Sequence, residues 1–405
     1  MRTTIRAALG EGQDRDFRLF ILATILAAFG SCANATAFNN YLKDYFALDV
    51  AQRTFLEFPR ETPGFLVSLF VGILAAIGET RIAGVAGLAA AAGMLALGWI
   101  PASFGLMVGS VFLFSSGQHI LMPLQNSLGM SFAADGKEGS VLGKIQIAAT
   151  AALLAGAALL LVLFKYAGLS YRAAFTSGSI CYALAALALL AMRPRRERLS
   201  GKRFVVRKEY GRYYLLSILF GARKQLFITF GPWMLVDYFK QPVSIMTLLF
   251  FVVAVLGLFA KPAVGRLTDR LGARAVFSGE AILTIGLCLG YAFAPELLPR
   301  GAALVAIACF YVLDQASDAV SMTRAIYAKQ IVRSPEELAP TLSLGISIDH
   351  VVSMFLPMLG GLAWRGGAGG YKIVFLGGAA IALLNLLVAR GVGAKVARPA
   401  PAAAR

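Results

Sequence analysis

The chain has 405 residues, 58% of them hydrophobic and only 15% charged, with a mean hydropathy of +0.72 and a formal charge of +17. Soluble domains carry about 25% charged residues, so a water-soluble globule is excluded. The long apolar runs instead have the length of bilayer-spanning helices, about 20 residues each.

In chain order, a polar stretch of 17 residues comes first. The apolar run after it lacks a small-residue cleavage site and is expected to be retained as the first span. Twelve helices are predicted in all. The first six fall at 18–41, 55–78, 82–100, 102–128, 140–164 and 171–192. The second six fall at 213–239, 243–264, 275–294, 300–326, 338–363 and 370–390. The expected fold is an all-α membrane protein of two pseudo-symmetric six-helix bundles, 1–192 and 213–392, with a linker at 193–212 and a disordered tail at 393–405.

The linker, "RPRRERLSGKRFVVRKEYGR", has nine Lys or Arg among its twenty residues. The positive-inside rule puts such a segment in the cytoplasm, and an even number of spans then puts both termini there too. The basic excess thus sets topology, with anionic-lipid contact a lesser role, and implies no nucleic-acid partner. The expected location is the cytoplasmic (inner) membrane.

Cys32, Cys181, Cys288 and Cys309 lie far apart in apolar runs without CxxC spacing. They read as buried, inert thiols. With His119 and His350 the only histidines, no ordinary zinc site is expected, nor any cofactor.

Charges inside spans are costly, roughly 2.5–3.5 kcal/mol each on insertion scales, and mark candidate function. At the start of span two, "TFLEFPRETPGF" holds Glu57, Arg60 and Glu61. Glu57 and Arg60 can pair at i,i+3, either as an outer gate or as a solvated helix start. His119 lies in span four. In span seven, "LFGARKQLFITFGPW" places Arg223 and Lys224 side by side among apolar residues. They sit about 100° apart on a helix, so Lys224 is read as facing a cavity and Arg223 as pairing with a neighbouring helix. Asp314 and Asp318 in span ten are four apart and share a helix face; crowded anions there favour protonation. Asp349 and His350 in span eleven form a possible proton relay. The alternatives are that these groups are structural pairs, or that Lys224 snorkels toward the cytoplasm.

"YLKDYF" at Tyr41–Phe46 resembles "MLVDYF" at Met234–Phe239, an offset of 193 that also superposes Gly64 on Gly257, Gly72 on Gly265, Leu74 on Leu267 and Arg81 on Arg274. Repeated halves of six spans imply two bundles rocking about a midplane site.

After span eight comes "GRLTDRLGARAVF", Gly265–Phe277. It resembles the cytoplasmic loop motif of the major facilitator superfamily, G-x-L-x-D-R-x-G-x-[RK], with Gly265, Leu267, Asp269, Arg270, Gly272 and Arg274 in place. The segments "FLPMLGGLAW" and "GGYKIVFLGGAA" are similar to that family's last two helices. The resemblance implies that Gly265, Asp269, Arg270, Gly272 and Arg274 latch one conformation of a transport cycle. The first-half loop departs from the pattern, with Ala76 at the acid position and Glu79 three residues away.

The resemblance also implies that spans one, four, seven and ten line a central cavity. Substrate contacts are then expected from Asn34, Asn39, Gln118, His119, Arg223, Lys224, Gln225 and Gln315, with Asp314, Asp318, Asp349 and His350 coupling protons. The implied function is secondary transport of a small polar or charged solute, anions included, by alternating access, coupled to protons, for which a monomer suffices. The alternatives are an exporter of cationic drugs or metal cations, a non-transporting receptor, and an intramembrane enzyme. No nucleophile–base or metal spacing supports an enzyme, and no GxxxxGK[ST] loop supports ATP-driven pumping.

Overall fold

The computed structural model describes residues 11–74, 78–100, 103–133, 138–193, 206–334, 337–367 and 369–393. The centre of the basic linker (194–205), the tail from 394, and Ala76 lie outside the described residues.

Among the described residues the chain is helical, with no strand. The first half comprises α1 (Glu11–Asp44), a short α2 (Val50–Phe55), α3 (Glu57–Leu74), α4 (Glu79–Trp99), α5 (Phe104–Met130), α6 (Glu138–Tyr166) and α7 (Tyr171–Leu190). The second comprises α8 (Gly211–Trp233), α9 (Val243–Leu271), α10 (Ala273–Leu297), α11 (Arg300–Ser317), α12 (Ser321–Ile331), α13 (Leu338–Arg365) and α14 (Gly370–Arg390). A π-helical turn, Met234–Tyr238, extends α8, and a 3-10 turn, Asp318–Val320, joins α11 to α12.

Among the described residues ten helices, counting α11 to α12 as one, are long and apolar enough to cross a membrane. The other two of span length, α3 and α8, are the ones whose apolar runs are broken by Glu57, Arg60 and Glu61 and by Arg223 and Lys224. The lipid-facing character is greatest in α9, where mean hydropathy reaches 2.7.

Local sequence sets the helix ends. Asp49 caps α2 by accepting from the Gln52 backbone N–H, while the Gln52 side chain accepts from the Asp49 N–H, a reciprocal box that satisfies two orphan donors. Ser170 caps α7 through the Ala173 N–H. Gly272, at φ +83°, turns α9 into α10 where a side chain would be strained. Close helix approach also depends on glycine: a Cβ at Gly117 of α5 would stand 2.3 Å from the Ala86 carbonyl oxygen of α4. Such backbone contact replaces the hydrophobic driving force that lipid denies to packing helices.

Helices α1, α4, α5, α6 and α7 pack on one another, as do α8 to α14. The halves meet where α13 lies along α2 and α3, and where α9 lies along α6.

Several expectations need correction. The motif after span eight is not a loop: α9 continues to Leu271, so Gly265, Asp269 and Arg270 sit on its last turns and only Gly272 turns. Asp314 and Asp318 do not share one helix face, because α11 ends at Ser317 and Asp318 opens the tighter 3-10 turn. Asp314 is buried and Asp318 exposed. The four thiols are not uniformly buried either: Cys32 and Cys288 are, Cys181 is half-buried, and Cys309 is exposed on α11.

Candidate functional site

Among the described residues, buried charges form three clusters, two braced within the second half and one that reaches from the first half across the seam. In the second half, Arg223 of α8 is 4% exposed and is held by two carboxylates from different helices. Its Nε lies 2.9 Å from Glu280 of α10, and a terminal nitrogen lies 2.6 Å from the Asp314 carboxylate of α11. The same nitrogen donates to Ser317, and the Gln315 amide donates to the other Asp314 oxygen at 3.0 Å. Asn385 of α14 donates to Glu280 at 3.1 Å. Removing charges from water costs several kcal/mol per ion; this density of charge-assisted bonds is what offsets it.

Lys224 points to α13. Its Nζ lies 2.8 Å from Asp349, which also accepts from Ser353 at 3.3 Å. Arg324 of α12 lies 4.0 Å from the other Asp349 oxygen, its guanidinium centred 3.5 Å above the Phe220 ring. Gly221 makes this approach possible, since a Cβ there would lie 2.9 Å from the Asp349 carbonyl oxygen.

In the first half, both acids of "TFLEFPRETPGF" are buried rather than solvated, and Arg60 between them is half-buried. Glu57 is 0% and Glu61 4% exposed, because α13 covers this end of α2 and α3. Arg53 of α2 pairs with Glu57 and donates to Asn39 of α1 at 2.9 Å. Arg60 lies 2.5 Å from Glu57 and 2.9 Å from Glu61. The result is a ladder, Arg53–Glu57–Arg60–Glu61, in which each charge touches its opposite.

The ladder ends on the second half, where Glu61 meets His350 Nδ1 at 2.7 Å. The His350 ring also packs edge-on to His119 of α5, centroids 5.0 Å apart. Further out, Lys43 of α1 lies 2.6 Å from Asp237, Asn40 donates to the Gln241 carbonyl at 2.9 Å, and Arg365 lies 3.9 Å from Asp49. These contacts draw the halves together at the end bearing the α1–α2 connection.

At the opposite end Asp269, Arg270 and Arg274 are exposed, and none of them has an ion pair among the described residues. Glu79, buried at the start of α4, accepts from Ser127 of α5 at 3.0 Å.

A cavity of about 150 Å³ lies inside the first half, lined in part by Thr24, Ser31, Gln118, Gln125 and Tyr182. A second void of about 20 Å³ is lined by Asn34, Arg60, Ser115, Gln118 and His119 among others. Gln118 borders both. Gln225 is fully buried and donates to Thr229 at 3.0 Å, so it faces its own helix rather than a cavity.

Arg53, Glu280 and Arg324 complete these clusters without having been singled out in the sequence. Glu280 carried the same signal as its partners, an acid inside an apolar run. Arg53 and Arg324 stand near span ends, where charge is ordinary.

The sequence profile of the Major Facilitator Superfamily matches residues 19–330. No curated protein sequence matches the chain. The fold is similar to that of a nucleoside transporter, NupG, with TM-score 0.73 and 14% identity over 93% of this chain and 98% of that one. An auto-inhibited POT family peptide transporter gives TM-score 0.75 at 13% identity, covering 96% and 99%. A D-xylose–proton symporter gives 0.68 at 15%, covering 94% and 98%. With the profile spanning most of the chain and the helices arranged as in these carriers, the chain belongs to the major facilitator superfamily and is a multi-pass membrane transporter rather than an enzyme.

Proposed function

We propose that the protein carries a small polar solute across the cytoplasmic membrane by alternating access, with protons as the coupling ion. The observation that carries this reading is the contact of Glu61 with His350 across the seam, one residue from the Lys224–Asp349 pair. A titratable pair bridging two rigid bodies changes their attraction when it gains or loses a proton, so protonation and rocking are linked.

The charges favour a particular kind of solute. Arg223 is already satisfied by Glu280 and Asp314, and Lys224 by Asp349. The larger cavity has a mixed wall: beside Ala27, Ala28, Leu121 and Met122 it offers the hydroxyls of Thr24 and Ser31 and the amides of Gln118 and Gln125, and Asn34 adds an amide to the smaller void. A neutral polar solute is bound there by hydrogen bonds, whereas an anion gains only by displacing Asp349 from Lys224. With the basic linker and termini in the cytoplasm, contact between the halves at the α1–α2 end makes this an inward-facing state. The motif charges Asp269, Arg270 and Arg274 then act as a latch in the opposite, outward-facing state. The carrier works as a monomer within the lipid bilayer.

The test is counterflow of labelled solutes in proteoliposomes, with a panel sorted by charge, at imposed pH gradients. Neutral polar solutes should exchange, the gradient should drive accumulation, and Glu61→Gln should abolish the drive while retaining exchange. Exchange confined to cationic amphiphiles, or indifferent to the gradient, would sink the reading.

A further inference from the structure

Glu61, His119 and His350 come from α3, α5 and α13, and each places one potential ligand atom within 4.8 Å of the others. Glu61 is buried and His350 nearly so, its side chain 12% exposed. We propose that these three side chains form a site for a divalent transition-metal ion such as Zn²⁺, and that the ion, by bridging the two halves, arrests the carrier in this conformation.

The donor set fits the chemistry. Two imidazoles and one carboxylate are a ligand set that zinc accepts readily, leaving a fourth position for water. His119 is held in an orientation that suits a ligand, with its Nδ1 2.9 Å from both the Ser115 carbonyl oxygen and the Ser115 hydroxyl. A ring nitrogen engaged in this way fixes the tautomer and turns Nε2 outward as the donor. Arg60 holds the Glu61 oxygen remote from His350, at 2.9 Å, and so aims the carboxylate.

The space is kept clear by Gly64, one turn along α3 from Glu61. A Cβ there would stand 2.4 Å from His350 Cε1 and 2.7 Å from His119 Cδ2. The two rings therefore rest on bare backbone, which no helical requirement of α3 demands.

The position gives the consequence. Two ligands belong to the first half and one to the second, so separating the halves here would strip the ion of His350. Bound metal stabilises only the state in which all three ligands converge, by the logic that a ligand shifts an equilibrium by its differential affinity. The inference is independent of which solute is carried, because its readouts are binding and conformation.

The chain has only two histidines, which makes the test direct on the purified full-length protein in detergent. After chelator treatment, Zn²⁺ alone is titrated calorimetrically, and carbethoxylation of the histidines is followed by mass spectrometry. One Zn²⁺ per chain should bind and should protect both His119 and His350 in the wild type. His119→Gln and His350→Gln should weaken binding more than about tenfold, and Ser115→Ala, which loosens His119 without removing a ligand, by about tenfold. Spin labels at Met130→Cys and Leu271→Cys, both on exposed helix ends, in a Cys309→Ser background, should collapse to one distance population on adding Zn²⁺. Absence of stoichiometric binding, or equal modification of the histidines with and without Zn²⁺, would overturn the site. An unchanged distance distribution, or accumulation of Zn²⁺ inside proteoliposomes as cargo, would overturn the arrest.

Discussion

Asp349 and His350 are neighbours in the chain yet serve opposite halves of the molecule. Asp349 turns inward to Lys224 at 2.8 Å, within its own half, while His350 reaches across to Glu61 at 2.7 Å. Consecutive helix positions point about 100° apart, so one residue step on α13 divides an internal brace from a seam contact. A shift in the register of α13 would disturb both at once, which ties the packing of the second half to the closure between halves.

Arg223 is the keystone of its cluster. Replacing it with alanine leaves Glu280 and Asp314 buried beside each other without a cation, a loss of about 3–5 kcal/mol. The expected outcome is a pronounced fall in the thermal unfolding midpoint of the purified protein. Arg223→Ala combined with Glu280→Gln and Asp314→Asn should recover much of it. If the triple variant is no more stable than the single one, charge is not what Arg223 supplies.

Gly221→Ala tests the approach of α8 to α13. The new methyl would meet the Asp349 carbonyl oxygen at 2.9 Å and its carboxylate at 2.8 Å, so the helices must part. Overpacking of this kind costs about 1–3 kcal/mol. A lower unfolding midpoint is expected, and the Lys224–Asp349 pair should weaken with it. Unaltered stability would mean that the two helices slide freely past one another.

Lys43 and Asp237 join the halves at a partly exposed site, 2.6 Å apart with side chains 29% and 24% exposed. Such a pair contributes no more than about 1 kcal/mol, but reversing one charge turns attraction into repulsion. Lys43→Glu should open the α1–α2 end, seen as faster thiol labelling in an Asn40→Cys background, and Lys43→Glu with Asp237→Lys should restore protection. Equal labelling in all three proteins would show that the pair has no part in closure.

Asp269→Asn should separate stability from cycling. Asp269 is exposed and without an ion pair among the described residues, so the unfolding midpoint should move by less than about 0.5 kcal/mol equivalent. Solute exchange should nevertheless slow, as the proposed latching by Asp269 in the opposite state requires. A change in stability without a change in exchange rate would assign the residue to the present fold instead.

The architecture was legible because lipid imposes it. With every backbone group satisfied inside a helix, apolar run lengths alone give the spans. The helices of the structure follow them within a few residues, except where α1 starts early at Glu11, where α9 runs on to Leu271, and where span ten breaks at Asp318–Val320 and runs on to Ile331. The charges at Arg223, Lys224, Asp314 and Asp349 stood out for the same reason. Their partners did not. Pairing is a matter of which helix faces which, and nothing in a single sequence says that Glu280 would meet Arg223 or that Glu61 would meet His350. The proposed metal-ligand cluster was likewise invisible: its members are 58 and 231 residues apart along the chain, and it takes the packing of both α5 and α13 on α3 to bring them together. The split of Asp314 from Asp318 escaped because the 3-10 turn breaks the 3.6-residue period at that point.

The ladder Arg53–Glu57–Arg60–Glu61 has an electrical consequence. It contains two positive and two negative groups, so as a body it is neutral. Carrying one elementary charge across a membrane held at 100 mV takes about 2.3 kcal/mol, a load that a neutral block escapes in the proposed tilting of the first half. The ladder as a body therefore moves no net charge through the field. In the transport cycle proposed above, a current that accompanies turnover would report chiefly the solute and its coupling ion, and no net charge carried by these arginines and glutamates.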